Sequence, residues 1–291
     1  MNLEITKCIG NKNKFVVIIG ERFMFYNAKN DVLEYENITV DYISFGEGKE
    51  DLIFIPGLGE GLNSINGFAV PFSLMYKIYA KDYRVHVFSR RKEMPEDFST
   101  EDMANDIIKH MEELNIEKAH IVGVSQGGMI SQYVAINAPE RVNKLVLIVT
   151  VARKNNILID SVEKWIRLAK EGNFKELMLD TAERSYVGEY LEKYRKVNKL
   201  AEKIGKKVTY ERFFIQTESC KNHDCYNELH EIKCPTYIVG ALKDKVLGIE
   251  GSLELAEKIK NCELYIYDEY SHGVYEQAKD FNDRILNYLN K

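Results

Sequence analysis

VGVSQGGMI, residues 122–130, sets one serine between glycines. Before it runs the apolar stretch AHIVGV (119–124), and after it GGMISQYVAINA (127–138), whose composition and spacing predict a helix. A strand that turns sharply into a helix around G-x-S-x-G lifts the serine hydroxyl clear of the sheet. Such a turn strains the serine backbone. It also brings strand and helix so close that side chains at Gly123 and Gly127 would collide. The gain is a nucleophile, Ser125, at a helix N-terminus, where backbone N–H groups can stabilise an oxyanion. The plainer alternative is a serine that caps a helix after a glycine-rich turn.

Outward from this stretch the chain keeps a rhythm. ITVDYISF (38–45) suits a strand with one solvated face. DLIFIPG (51–57), VHVF (85–88), KLVLIV (144–149), PTYIVG (235–240) and ELYIY (263–267) are short, nearly continuous apolar runs, as in strands covered on both faces. Helical spacing lies between them, at 70–80, 100–115 and 127–137. It recurs at the end, through Val274, Ala278, Phe281, Ile285 and Leu289. Strands alternating with helices predict a doubly wound α/β fold with a mostly parallel sheet. The core takes residues 37–151 and 233–291. Between them, 152–232 carries helical patterns and no convincing strand, and is expected to be an inserted all-helical cap. Residues 1–36 are an N-terminal extension in which FVVIIGERFMFY (15–26) fits a hairpin or a short helix equally well.

Composition excludes several functions. With 45% hydrophobic and 29% charged residues the chain has material for a sizeable core, as in an ordinary globular enzyme. Basic and acidic residues, 40 and 45, are intermixed, so no basic stripe offers itself to nucleic acid. No apolar run approaches the roughly 18 residues of a membrane span, and MNLEITKC lacks the pattern of a secretion signal. Five cysteines form an odd count without a dense framework, which suits a reducing compartment, and the chain reads as cytoplasmic.

A serine hydroxyl needs a base, and the base needs an orienting carboxylate. Of six histidines, His86 and His120 fall in predicted strands, His110 in a helix, and His223 and His230 before PTYIVG. His272, in DEYSHGVY, follows the last strand, where this architecture puts its base. Asp244, in GALKDKVLG, lies just beyond the strand PTYIVG, at the carboxyl end of the sheet. Its plainer role is a turn or cap aspartate. Asp268 and Glu269 are alternatives, but sit so close to His272 in sequence that orienting its ring is harder. IPGLGEG (55–61) supplies a glycine-rich loop, so the backbone N–H groups of Leu58 and Gln126 are the expected oxyanion donors. Cys220, His223 and Cys225 lack a nearby fourth ligand at zinc spacing, and NHDCYNELHEI reads as a capped helix. The aromatics of the insertion, Trp165, Tyr186, Tyr190, Tyr210, Phe213 and Phe214, fit an acyl pocket or mutual packing equally well.

Taken together, PGLG, GVSQGG, the aspartate of GALKDKV and the histidine of SHG resemble the α/β-hydrolase superfamily, in its esterase-like branch with a helical lid. The resemblance covers roughly residues 38–291. It implies Ser125 as nucleophile, Asp244 as orienting acid, His272 as base and the insertion as lid. No metal or organic cofactor is expected, and the partner is a small ester-like molecule. The chain departs from the pattern at two points. Pro56 stands where many members have histidine, and after the fourth strand, where many members carry an aspartate followed by arginine and glycine, this chain has FSRRKEMPED, with no glycine. Haloalkane dehalogenases and epoxide hydrolases carry aspartate at the position of Ser125, which excludes both chemistries. Gln126, where proline iminopeptidases have tryptophan, counts against that activity. The same triad also serves thioesterases, lactonases and carbon-carbon bond hydrolases. The rival of another class is a binding protein that kept the fold and lost turnover.

Overall fold

The structure is a computed structural model and describes residues 25–201 and 210–291. It contains an eight-stranded sheet in the order β1-β2-β4-β3-β5-β6-β7-β8. These strands are β1 (Lys29–Tyr35), β2 (Ile38–Phe45), β3 (Glu50–Ile55), β4 (Tyr83–Phe88), β5 (Ala119–Val124), β6 (Val142–Ile148), β7 (Thr236–Ala241) and β8 (Cys262–Tyr267). β1 and β2 are antiparallel to their neighbours, and β3 to β8 are parallel.

The parallel strands are covered on both faces, and alternate residues show it. Ile53, Ile121, Leu145 and Leu147 enter one apolar cluster, with Met103, Ile107, Ile130 and Val134 from helices α2 (Thr100–Glu113) and α3 (Gln126–Asn137). Their neighbours Leu52, Val122, Val146 and Ile148 enter another on the opposite face, with Ala69 from α1 (Ala69–Met75) and Ile285 and Leu289 from the C-terminal helix. Burial on both sides is why these strands read as unbroken apolar runs. All six residues of β7 are buried.

Between β6 and β7 come α4 (Asn156–Lys170), α5 (Phe174–Ser185), α6 (Gly188–Ala201) and α7 (Glu211–Asn222). Asn155 and Asn173 cap the first two, their side chains accepting from the N–H of Leu158 and Glu176. α8 (Glu250–Lys258) joins β7 to β8, and α9 (Val274–Gln277) and α10 (Phe281–Leu289) close the chain.

Three features differ from the sequence reading. The sheet starts at Lys29, inside the stretch assigned to the extension, because β1 pairs with β2 along its full length. Its largely exposed, charged residues carry no apolar alternation. The final helix is two helices, since Ala278 is extended. Val274 and Phe281 face one cluster seven residues apart, so the periodicity runs across the break. NHDCYNELHEI contains a short 3-10 helix, Tyr226–Glu231, rather than a capped helix. Most of FVVIIGERFMFY lies outside the described residues. Among the described residues no helix is long and apolar enough to cross a membrane.

Candidate active site

Ser125 sits at the end of β5 with φ 54° and ψ −120°. A non-glycine residue in this region stores on the order of 1–3 kcal/mol of strain. The surroundings hold it there. Its N–H donates to the carbonyl of Ile148 at 2.9 Å, and its own carbonyl accepts from Gly128 N at 2.8 Å and from the Thr150 hydroxyl at 2.8 Å. A Cβ on Gly123 would lie 2.2 Å from Ser131 Oγ, and one on Gly127 would lie 1.9 Å from the carbonyl oxygen of Ile55. The sequence reading missed a third constrained position. A Cβ on Gly128 would come within 2.6 Å of Thr150, and the doubled glycine was its visible signal.

Gly57, at the end of β3, packs on the serine: a Cβ there would lie 3.3 Å from Ser125 Cβ and 3.8 Å from its Oγ. Leu58 is the next residue and opens a 3-10 helix, Leu58–Gly61, while Gln126 opens α3. First-turn N–H groups have no partner within their own helix. Both expected donors therefore start a helix beside Ser125, one from each side.

Asp244 follows β7 and His272 follows β8. His272 Nδ1 lies 2.9 Å from Asp244 Oδ2, with both side chains buried. The other carboxylate oxygen, Oδ1, accepts from the N–H of Val246 at 2.8 Å and of Leu247 at 3.0 Å. The turn contacts and the contact to the imidazole fall to different oxygens of one side chain. An ionised carboxylate only accepts, so Nδ1 carries the proton and Nε2 is left as an acceptor. β3, β5, β7 and β8 run parallel, so Gly57, Ser125, Asp244 and His272 all lie at the carboxyl edge of one sheet. Among the described residues no hydrogen bond joins Ser125 Oγ to His272; such contacts commonly tighten only with substrate in place. The alternative acids are placed elsewhere: Glu269 pairs with Lys243 at 2.8 Å on the surface.

The loop after β4, which the sequence left without a role, supplies Arg90. Its buried guanidinium donates from Nη2 to the carbonyl of Pro56 at 2.6 Å and to Gln126 Oε1 at 3.3 Å. Burial pulls its pKa below the usual value, against the opposing influence of Glu60. Glu60, buried in the 57–61 loop, pairs with Arg212 of α7 at 2.5 Å and accepts from Gln216 Nε2 at 2.8 Å. Gln126 Nε2 donates to Gln216 O at 2.9 Å and Ser219 Oγ at 3.1 Å. Gln126 enters the motif only through its backbone N–H, and Arg90, Glu60, Arg212, Gln216 and Ser219 belong to no motif, so pattern reading passes over these side chains.

Cys220, His223 and Cys225 divide between two environments. Cys225 Sγ is 3.6 Å from His223 Nε2 in the cluster under α3, whereas Cys220 packs with Trp165 and Phe213 among the inserted helices. Burial pushes the Cys220 thiol up to about 12 and His223 down to about 3. Neither is primed as a nucleophile or base. Among the described residues no group of three or more His, Cys, Asp or Glu is placed to hold a metal. A concavity of about 990 Å³ opens at the opposite, amino edge of the sheet, between Glu50, His120 and Lys144, away from all candidate residues. The aromatics of the insertion pack largely on one another: Tyr186 against Tyr190 and Tyr194, and Tyr210 against Phe213 and Phe214.

Residues 52–279 match the family described as alpha/beta hydrolase fold. The chain belongs to that family. It is 24% identical over 260 residues to 3-oxoadipate enol-lactonase 2 of Acinetobacter baylyi, covering 88% of this chain and 94% of the relative. It is 25% identical over 271 residues to a 2-hydroxy-6-oxononadienedioate/2-hydroxy-6-oxononatrienedioate hydrolase of Escherichia coli, covering 87% and 92%. Among solved structures, the enol-lactonase of Burkholderia xenovorans superposes with a TM-score of 0.73 at 19% identity, covering 90% of this chain and 100% of the other. That likeness concerns the fold.

Proposed function

We propose that this alpha/beta hydrolase family member is a serine hydrolase that cleaves an ester-like carbonyl through an acyl-enzyme on Ser125. The observation that carries the proposal is the 2.9 Å contact of His272 Nδ1 with Asp244 Oδ2, at the same sheet edge as a serine held at φ 54°. His272 Nε2 takes the Ser125 proton as Oγ attacks the carbonyl carbon. The N–H groups of Leu58 and Gln126 hold the oxyanion, the leaving group departs with the proton, and water, activated by the same imidazole, releases the acid. This chemistry calls on no metal or organic cofactor. The four described cysteines are free thiols, which supports the cytoplasmic reading.

One alternative has an observation in its favour. The relatives above are named for the hydrolysis of an enol-lactone and of a dienedioate, so ring opening or carbon-carbon cleavage by the same residues is the second reading. Intact mass after exposure to a fluorophosphonate, with Ser125→Ala as control, tests the nucleophile without a guess at substrate. One adduct on the parent and none on the variant is expected; a folded parent that takes no adduct overturns the proposal in favour of a binding protein. Steady-state turnover of p-nitrophenyl esters, thioesters, lactones and a vinylogous diketone then separates the two readings.

A further inference from the structure

We infer that Arg90 is a positioning residue that braces both halves of the oxyanion site from behind, an inference that rests on the serine-hydrolase reading. Its Nη2 reaches the Pro56 carbonyl, whose peptide leads through Gly57 to the Leu58 N–H, and the side chain of Gln126, whose own N–H is the other donor. One guanidinium nitrogen thus ties the loop after β3 to the first residue of α3. A distortion in either would move a donor, and oxyanion stabilisation is steep in donor placement.

The electrostatics agree. Nε and Nη1 of Arg90 are buried with no hydrogen-bond partner among the described residues. A half-satisfied buried guanidinium is a poor stabilising device, and an apolar side chain of similar volume would generally serve a core better. The neighbouring charges Glu60 and Arg212 are already paired with each other. Arg90 therefore leaves a positive charge, only partly offset by Glu60, behind the two donors, and its field favours negative charge on the substrate oxygen. Its replacement also leaves no partner carboxylate stranded, so a neutral variant is expected to fold.

The experiment uses the full chain with Arg90→Met and Arg90→Lys. Each is titrated with fluorophosphonate, so that kcat is expressed per reactive serine, and kcat and KM are measured on p-nitrophenyl butyrate. Inhibition by an alkyl trifluoromethyl ketone, which forms a bound hemiketal oxyanion, is measured beside them. For Arg90→Met kcat is expected to fall by about 10²-fold with KM within about three-fold, and the ketone to weaken in parallel with kcat. Arg90→Lys recovers part of the loss, because an ammonium keeps the charge but not the fork. A purely structural role would lower the titratable fraction and leave kcat per site and ketone affinity alone; that result in Arg90→Met overturns the inference. If Arg90→Met does not fold, Arg90→Lys decides: a partial fall in kcat per titrated site at constant KM supports the brace, and a parental kcat removes it. A parent chain with no adduct and no turnover removes the serine-hydrolase reading itself, whereas an active parent matched by its variants removes only the brace.

Discussion

Gly127→Ala is the sharpest test of how the elbow and the oxyanion loop depend on each other. The added methyl would lie 1.9 Å from the carbonyl oxygen of Ile55, 2.6 Å from its carbon and 2.8 Å from the carbonyl oxygen of Pro56. The first contact is about 1.1 Å short of the 3.0 Å below which such approaches essentially do not occur, and the obstacle is backbone, which cannot rotate away. Either α3 or the end of β3 must retreat. The first carries Ser125 and Gln126, the second leads into Leu58. Overpacking of this kind costs about 1–3 kcal/mol of stability. Activity should suffer more, since a displacement near 1 Å at a reacting centre costs on the order of 10²-fold in rate. Gly59, two residues past Gly57 on the same loop, is the control: a Cβ there meets nothing within 4 Å. Gly59→Ala is expected to keep kcat within about two-fold, since no contact or left-handed backbone stands against it. Urea unfolding and p-nitrophenyl ester hydrolysis per fluorophosphonate-titrated site are measured for both. Gly127→Ala at parental kcat would refute the close approach as the elbow's organising constraint, and equal losses in both variants would show that the loop tolerates no change at all.

Three further outcomes follow from the same contacts. Asp244→Asn places an amide where Nδ1 needs an acceptor, and kcat is expected to fall by about 10⁴-fold with little change in unfolding midpoint, because the imidazole takes the wrong tautomer; a loss under ten-fold would point to another acid. Burial pushes both His110 and His223 down to about 3 from an ordinary 6.5. The unfolded chain thus gains protons that the folded chain refuses between pH 6.5 and 3, and stability must fall as pH drops through that window, by about 1.4 kcal/mol per pH unit for each histidine at full effect. Urea midpoints at pH 7.5, 6.5, 5.5 and 4.5 check this, and an unchanged slope in His110→Phe would remove His110 from the account. Gln277→Leu deletes two hydrogen bonds to the backbone of Val187, at 3.2 and 3.0 Å. It is expected to speed limited proteolysis within residues 174–222 while global stability changes by at most about 1–3 kcal/mol; parental cleavage rates would show that this contact does not hold the insertion.

The fold was legible where burial on both faces writes itself as composition. β3, β5, β6 and β7 each carry a short, nearly continuous apolar run because helices cover both sides, and the strand-turn-helix at Ser125 needs glycines that no other residue can replace. β1 was illegible for the converse reason: it is a largely exposed edge strand, specified by its pairing with β2 rather than by its own side chains. Asp244 was preferred to Asp268 and Glu269 because those two lie so near His272 in sequence that orienting its ring is harder, and Asp244, beyond the neighbouring strand β7, meets His272 Nδ1 at 2.9 Å. Arg90, Glu60 and Gln216 could not be found this way. Arg90 meets Gln126, and Glu60 meets Gln216, through side chains from distant segments, and nothing in FSRRKEMPED distinguishes a buried guanidinium from a solvated one.

The inserted helices grip the site at two separate points, and this bears on how substrate preference can change. α7 reaches the 57–61 loop through Arg212 and Gln216 on Glu60. The segment from Arg184 to Val187 reaches the histidine loop: Gly273 N donates to Ser185 O at 2.7 Å, and Ser271 Oγ lies 2.5 Å from Arg184 O and 2.7 Å from Lys243 O. Ser271 thereby joins the loop of Asp244, the loop of His272 and the insertion. In a fold where specificity resides in loops placed over a fixed sheet, an insertion is free to vary only as far as it is mechanically separate from the chemistry. Here the two are coupled. Exposed positions such as Arg167 and Lys170 at the end of α4, which belong to neither grip, are expected to change without moving the 57–61 loop or the imidazole, whereas changes at Arg212, Gln216 or the 184–187 segment are expected to alter rate and preference together.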